Sequence, residues 1–380
     1  MTFEQVYQVI NDVAAQHFGQ NAIAVTDTSS LYSLGTTVFA GGADAFLSTL
    51  IDRVARVAVR TLDYTSSFPG LLRNEYEFGN GIEKINVQPF QAKKSEAVNV
   101  GNASWQNTTW DIDKPTIAVY FFKDSATWEI DCTMPDTLYR SAFTSAAEMQ
   151  RFISAIYDMI STSMSMQLDQ VARAAVVGMM AEKVDAGYTV VDLLTAYNSG
   201  HTPTLTAAEA LESPAFLKYA GKIMRDYISY LQEPSTLYNS AGLVRATARD
   251  NMHVFINTQL ISAYNTYLEA DTFHNEIISL PYYNEIKFWQ GTGTSEPNLD
   301  DCTDIKVNTK NGDAVEMPYV VACFADREAI GVGMFDRWSA ADRLNRQRLT
   351  NITSGAVIQH FVDLSENVVI FTLGQPTITP

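Results

Sequence analysis

Apolar side chains recur at three- and four-residue intervals from residue 3 to residue 18, placing Val6, Tyr7, Ile10, Val13, Ala14 and Phe18 on one helical face. The polar stretch Thr26-Asp27-Thr28-Ser29-Ser30 follows and sets this helix off as an amphipathic arm. A second helix is predicted over 43–62, with Phe46, Leu47, Leu50, Ile51, Val54 and Val57 apolar and Arg53, Arg56 and Arg60 on one basic stripe. Beyond it the period falls to two. Glu75-Tyr76-Glu77-Phe78 alternates, Ile85 and Val87 continue past Gly79-Asn80-Gly81, and 116–122 and 127–132 return as strands. Between the two arms lies a polar stretch, 91–113, that carries Trp105 and Trp110. The segment 63–143 is therefore expected to be a long two-stranded ribbon with a polar tip, and such a ribbon must lie on something else to be stable.

The most distinctive element comes next. Ser145-Ala146-Ala147-Glu148 has the form of a capping box, and helical spacing then persists to about Lys183. Met149, Phe152, Ile153, Ile156, Ile160, Met164, Leu168, Val171, Ala175 and Met179 form its apolar stripe. At 1.5 Å per residue the helix is roughly 57 Å long. A mixed region follows: a short helix over 190–197, a helix announced by Ser213 and Pro214 and running to 232, strands at 253–257, 276–280 and 319–324, and a loop over 291–301. Residues 356–364 and 368–373 are apolar on both faces, as in central, doubly covered strands. The fold class is α+β.

Composition narrows the picture. A chain of 380 residues, 46% hydrophobic and 18% charged, can bury a sizeable core in two linked lobes. Its apolar runs fall short of the roughly 20 residues of a membrane-spanning helix, and the start of the chain has no signal-peptide pattern, so cytoplasmic synthesis and no membrane contact are expected. The net charge of −17 disfavours a protein that grips nucleic acid, but not one that merely surrounds it. It also makes identical copies repel, so self-association has to rest on apolar contact and be salt-sensitive. Cys132, Cys302 and Cys323 have no CxxC spacing and read as reduced thiols.

Catalytic patterns are missing. The five histidines, His17, His201, His253, His274 and His360, stand apart from one another, and there is no GxSxG elbow. Gly79-Asn80-Gly81, Gly291-Thr292-Gly293 and Gly331-Val332-Gly333 lack the rest of a phosphate loop and read as turns. Asp300, Asp301 and Asp304 lack the spacing of a calcium loop. No cofactor and no metal are expected. The stripe of Arg53, Arg56 and Arg60 can touch DNA, bind acidic patches of a neighbour or simply be solvated, and a second group comprising Arg337, Arg343, Arg346 and Arg348 reads as salt bridges between subunits in preference to sequence reading of DNA. Trp105 and Trp110 either pack under their own loop or anchor in a partner.

Three stretches, together with the order of elements, carry a resemblance. They are His253–Asn257 continuing through Leu260-Ile261-Ser262-Ala263-Tyr264 to Phe273-His274-Asn275; Ala325-Asp326-Arg327-Glu328-Ala329-Ile330-Gly331-Val332; and Asp363-Leu364-Ser365-Glu366-Asn367-Val368-Val369-Ile370-Phe371. The chain resembles the major capsid proteins of small short-tailed phages, which have the Hong Kong ninety-seven fold. That resemblance implies an N-terminal arm and first helices (1–62), an extended β-ribbon loop (63–143), a spine helix of a peripheral domain (144–187), an axial domain (188–340) and closing strands of the peripheral domain (341–380). It implies self-assembly into pentamers and hexamers of an icosahedral shell in the virion, formed in the host cytoplasm around double-stranded DNA that is not read by sequence. Portal, scaffold and decoration proteins are the further partners it implies. The candidate contacts between subunits are Arg53, Arg56, Arg60, Trp105, Trp110, Arg337, Arg343 and Arg346. Two other readings stay open at this point: an acidic carbohydrate-active hydrolase, which demands a cleft with close carboxylates, and a cellular nanocompartment shell of the same fold.

Overall fold

A computed structural model of the chain describes residues 3–19, 22–41, 46, 49–50, 53–54, 68, 70–73, 82–87, 117–122, 125–135, 146–187, 190–268, 283–291, 299–301, 303–344 and 349–379. Helix α1 (Phe3–Phe18) matches the predicted arm and buries Val9, Ile10, Val13 and Ala14. A second helix, α2 (Thr28–Gly41), begins inside the polar stretch 26–30 and is not among the elements the sequence pattern predicts. Asp27 starts it: its Oδ1 accepts from the Ser30 amide at 2.8 Å, which satisfies one of the amides a helix start leaves unpaired, and Leu31, Leu34 and Val38 fill the core on one face. Within the predicted helix over 43–62, residues 46, 49–50 and 53–54 are helical, and Phe46, Leu50 and Val54 are buried at the expected spacing of four. The remainder of that span, the Glu75–Phe78 alternation, the ribbon tip and the predicted strand at 276–280 lie outside the described residues.

Short strand β1 (Leu72–Arg73) precedes β2 (Ile82–Val87) and β3 (Ile117–Phe122), which pair antiparallel as a two-stranded ribbon; β4 (Ser125–Pro135), expected as a returning strand of that ribbon, pairs instead with residues 349–359, whose longer ladder claims it for the body. The long helix α3 spans Ala146–Asp185, 40 residues, or about 60 Å at the standard rise. Its first half buries one side only, through Ile153, Ile156, Ile160, Met164 and Leu168. Its last turns are enclosed nearly all round, with Ala175, Val176, Val177, Met179, Met180, Ala181, Lys183 and Val184 buried.

The segment read as a helix over 190–197 divides in two. Val190–Asp192 is a strand, β5, and Leu193–Asn198 is helix α4, capped by the Asp192 carboxylate, which accepts from the amides of Leu194 and Thr195. Helix α5 (Ala207–Glu212) has a full Thr206/Glu209 capping box that the sequence pattern leaves unmarked, and α6 (Pro214–Gln232) starts at Ser213 as expected. Strand β6 (Met252–Asn257) runs straight into α7 (Thr258–Leu268). Short strands β7 (Asn284–Ile286), β8 (Gln290–Gly291), β9 (Leu299–Asp301), β10 (Ile305–Asn308) and β11 (Ala314–Met317) lead to β12 (Val320–Asp326). The long pair β13 (Ile330–Leu344) and β14 (Leu349–Val362) and the last strands β15 (Val368–Thr372) and β16 (Thr377–Thr379) complete the chain. Gly331 and Gly333 thus lie inside a strand, not in the turn their spacing suggests.

A five-stranded sheet, β5-β15-β12-β6-β7, stands between two cores. Phe255, Cys323, Ala325, Val368 and Ile370 face the core built on α1, α2 and α3, while Val254, Ile256, Ala322, Phe324, Val369 and Phe371 face the core of α4 to α7. Alternating residues of each strand therefore enter different cores, which is why the sequence is apolar at every position. The second main sheet, β1-β13-β14-β4, places its long strands along α3, and a small sheet of β10, β11 and β16 closes the end of the helix.

The β13–β14 ladder contains a bulge between Phe335 and Trp338, with Asp336 at φ 47, and beyond it Trp338 lies opposite Gly355. A Cβ at position 355 would stand 2.6 Å from the Trp338 ring. Gly355→Ala is therefore expected to lower stability by about 1–3 kcal/mol through overpacking, read as a shifted urea midpoint.

Candidate subunit interface

The ribbon reverses the usual placement of apolar side chains. Register pairs Ile85 with Val119, Val87 with Ile117 and Glu83 with Phe121, so these six residues share one face. On that face Phe121 is 63% exposed, Ile85 60%, Val87 55%, Ile117 54% and Val119 44%. Five adjacent large apolar side chains in water make this face the candidate contact surface, since a contiguous exposed apolar patch is unusual on a folded chain.

The opposite face is polar and anchored. Lys84 Nζ stands 2.8 Å from both the Asp363 and the Glu366 carboxylates and donates to the Glu328 carbonyl at 3.1 Å. Asn86, buried, donates to Ser365 Oγ at 3.2 Å. Gln359 Nε2 donates to the Phe122 carbonyl, and the Phe122 ring packs on Phe361 at 5.5 Å. The ribbon thus grips the turn between β14 and β15, where Asp363, Ser365, Glu366 and Asn367 are all buried.

Further cations converge on this turn. Arg245 approaches Glu366 at 3.2 Å, and Lys183, from the last turn of α3, donates to the carbonyls of Leu364 and Glu366 at 2.9 and 3.1 Å. Burial pushes the Lys183 ammonium down to about 8, against the pull of Asp363 and Glu366. Burial also pushes the Glu366 carboxyl up, against Lys84 and Arg245. Asp326 completes the node, accepting from Thr247 Oγ1 at 2.6 Å. The three stretches that carry the resemblance meet here: Ala325 pairs with His253 on one side and Val368 on the other.

Of the residues singled out from the sequence, Arg53 forms an ion pair with Asp12 of α1 at 2.6 Å, with both side chains more than two-fifths exposed. A pair of that kind contributes at most about 1 kcal/mol. Arg337 is half-buried in β13, and burial lowers its pKa; Arg343 lies in the same strand opposite Thr350. Arg56, Arg60, Trp105, Trp110 and Arg346 lie outside the described residues. Sequence reasoning marked Ile85, Val87 and 117–122 as strand but not as exposed, and passed over Lys84, Lys183, Asp363 and Glu366 as chemistry. Among the described residues, no group of three or more His, Cys, Asp or Glu is placed to hold a metal ion, and no helix is long and apolar enough to cross a membrane.

A model of the Phi29-like phage major capsid protein family matches residues 9–350. A chain in the capsid structure of Staphylococcus phage Andhra has the same fold, with TM-score 0.53 at 11% identity over 82% of this chain and 86% of that one. A chain in the structure of the head fiber and inner core protein gp22 of native bacteriophage P68 gives TM-score 0.52 at 11% identity over 82% and 85%. No curated protein matches the chain.

Lys84→Met leaves two buried carboxylates without their shared cation and is expected to cost about 2–4 kcal/mol by chemical denaturation. The Lys183 shift sets a pH trend. Between about 8 and its ordinary value of 10.5, the unfolded chain holds a proton that the native chain has lost, so this group makes stability rise with pH across that window. Lys183→Met should flatten the rise, as measured by urea midpoints from about pH 7 to about pH 10.

Proposed function

The chain belongs to the Phi29-like phage major capsid protein family, and from that membership we propose that its copies close into pentamers and hexamers of an icosahedral shell around double-stranded DNA. It is a structural protein of the virion capsid, and it assembles with itself. The family match over residues 9–350 carries this reading, and the exposed apolar face of the ribbon supports it by supplying what an acidic chain needs in order to bind its own kind. The hydrolase reading gains nothing from the family or from the fold. A family of phage capsid proteins also favours a virion shell over a cellular compartment.

In this reading the ribbon lays Ile85, Val87, Ile117, Val119 and Phe121 on a neighbouring copy, and the arm over 1–62 adds a second contact. The ribbon (63–143) and the long helix (144–187) keep the roles the resemblance implies. Strand β15 joins the axial sheet, while β13 serves the peripheral side along α3, so the division at 340 is better drawn by sheet than by position. Arg56, Arg60, Arg337, Arg343 and Arg346 pair with acidic patches of neighbours, Arg53 joins them only by exchanging its partner Asp12, and Trp105 and Trp110 anchor the ribbon tip. Portal, scaffold and decoration proteins meet the assembled shell, and assembly takes place in the host cytoplasm.

The experiment is assembly of the purified chain, followed by light scattering and negative-stain microscopy across salt and scaffold conditions. Closed shells are expected; a chain that stays monomeric throughout overturns the reading. A double variant, Val119→Thr with Phe121→Thr, which keeps strand-forming residues and sets no charge opposite Glu83, is expected to keep the monomer's circular dichroism and to change its unfolding free energy by no more than about 1 kcal/mol, while shell yield falls.

A further inference from the structure

A cleft of about 570 Å³ opens where the ribbon leaves the body, lined by Phe121 of β3, Ala174, Gly178 and Glu182 of α3, Thr309 beyond β10, and His360 of β14. Gly178 is anomalous there. It lies deep inside a 40-residue helix, where glycine costs about 1 kcal/mol relative to alanine. Nothing among the described residues asks for it: a Cβ built at 178 meets none of their atoms within 4 Å. Gly355, by contrast, is required by Trp338. A glycine that opens onto empty space is suited to the close approach of a backbone from outside the subunit.

A second observation points the same way. Thr309 is 6% exposed, and among the described residues its Oγ1 has no hydrogen-bond partner. A buried hydroxyl left unpaired costs about 1–3 kcal/mol, so this one stands ready for a donor or acceptor that the isolated chain does not supply. An extended backbone offers both the thinness that Gly178 admits and the N–H and C=O groups that Thr309 can engage.

We propose that this cleft seats an extended backbone segment of a second copy of the chain, packed against Gly178 and hydrogen-bonded to Thr309. The inference rests on the shell reading and names a contact within it. Continuity decides the occupant. Phe121 is both a wall of the cleft and the end of the five-residue apolar face, which runs outward along the ribbon. A polypeptide covers the cleft and that face together, whereas a small apolar ligand would cover Phe121 and leave the other four side chains in water.

Two variants test it. Gly178→Leu puts a larger side chain into the cleft from a Cβ position that no described atom approaches within 4 Å, and leucine is the better helix former, so the monomer should keep its circular dichroism and a Tm at or above that of the wild type. Its shell yield should fall at least tenfold. Gly178→Cys should react with a water-soluble maleimide readily in free subunits and at least tenfold more slowly in assembled shells, counted above the wild type's own thiols. Shells of Gly178→Leu at wild-type yield, or equal labelling rates in shells and free subunits, overturn the cleft's role while the shell reading stands. Protection from maleimide in free subunits by an apolar dye such as anilinonaphthalene sulfonate, persisting in shells that label fast once the dye is removed, assigns the cleft to a small ligand and also overturns the proposal. A wild-type chain that forms no shells overturns the shell reading, and this contact with it.

Discussion

Lys84 stands between two buried carboxylates, and much of the molecule's organisation hangs on that placement. The ribbon strand that carries it, the end of the long helix that carries Lys183, the segment that carries Arg245 and the turn from Asp363 to Asn367 are remote in sequence and meet at one buried polar node. Apolar packing would tolerate small shifts of these parts against one another. A buried charge without its partner costs several kcal/mol, so the node admits one arrangement. It fixes where the ribbon root sits, and with it the direction in which the ribbon leaves the body.

The ribbon inverts the ordinary rule of inside and outside. Its inward face is held by ions and amides, and its outward face carries the apolar residues. An inward apolar face would stabilise the subunit and leave nothing with which to associate. At a net charge of −17, the approach of a second copy is opposed at long range, and short-range apolar contact is the force available to overcome it. The two strands thus carry charge-based anchoring on one face and an apolar surface open to a partner on the other.

The long helix, α6 with its Ser213 cap, and the strands at 253–257, 319–324 and 368–373 were legible because each has strong periodicity or a recognisable cap. Helix α2 was hidden because Thr28–Gly41 is rich in Ser, Thr and Gly; burial of Leu31, Leu34 and Val38 makes it a helix, and burial is tertiary information. Val190–Asp192 is too short for its period to separate strand from helix, and pairing with β15 decides the matter. The interface was half legible. Alternation told which ribbon residues share a face, but no local pattern states what covers that face. The node could not be read at all, since a lysine at 84 and carboxylates at 363 and 366 are neighbours only after folding.

The sheet shared by two cores has a mechanical corollary. Strands β12 and β15 bury side chains on both faces and are hydrogen-bonded edge to edge, and beside them β13 and β14 form a ladder alongside a helix of about 60 Å. Pulled along its strands, such an assembly loads many hydrogen bonds in shear at once; bent out of the plane of the sheet, it must compress one close-packed core and open the other. Each subunit is thus stiffest along its strands, and it resists flexure in both senses without a dedicated brace.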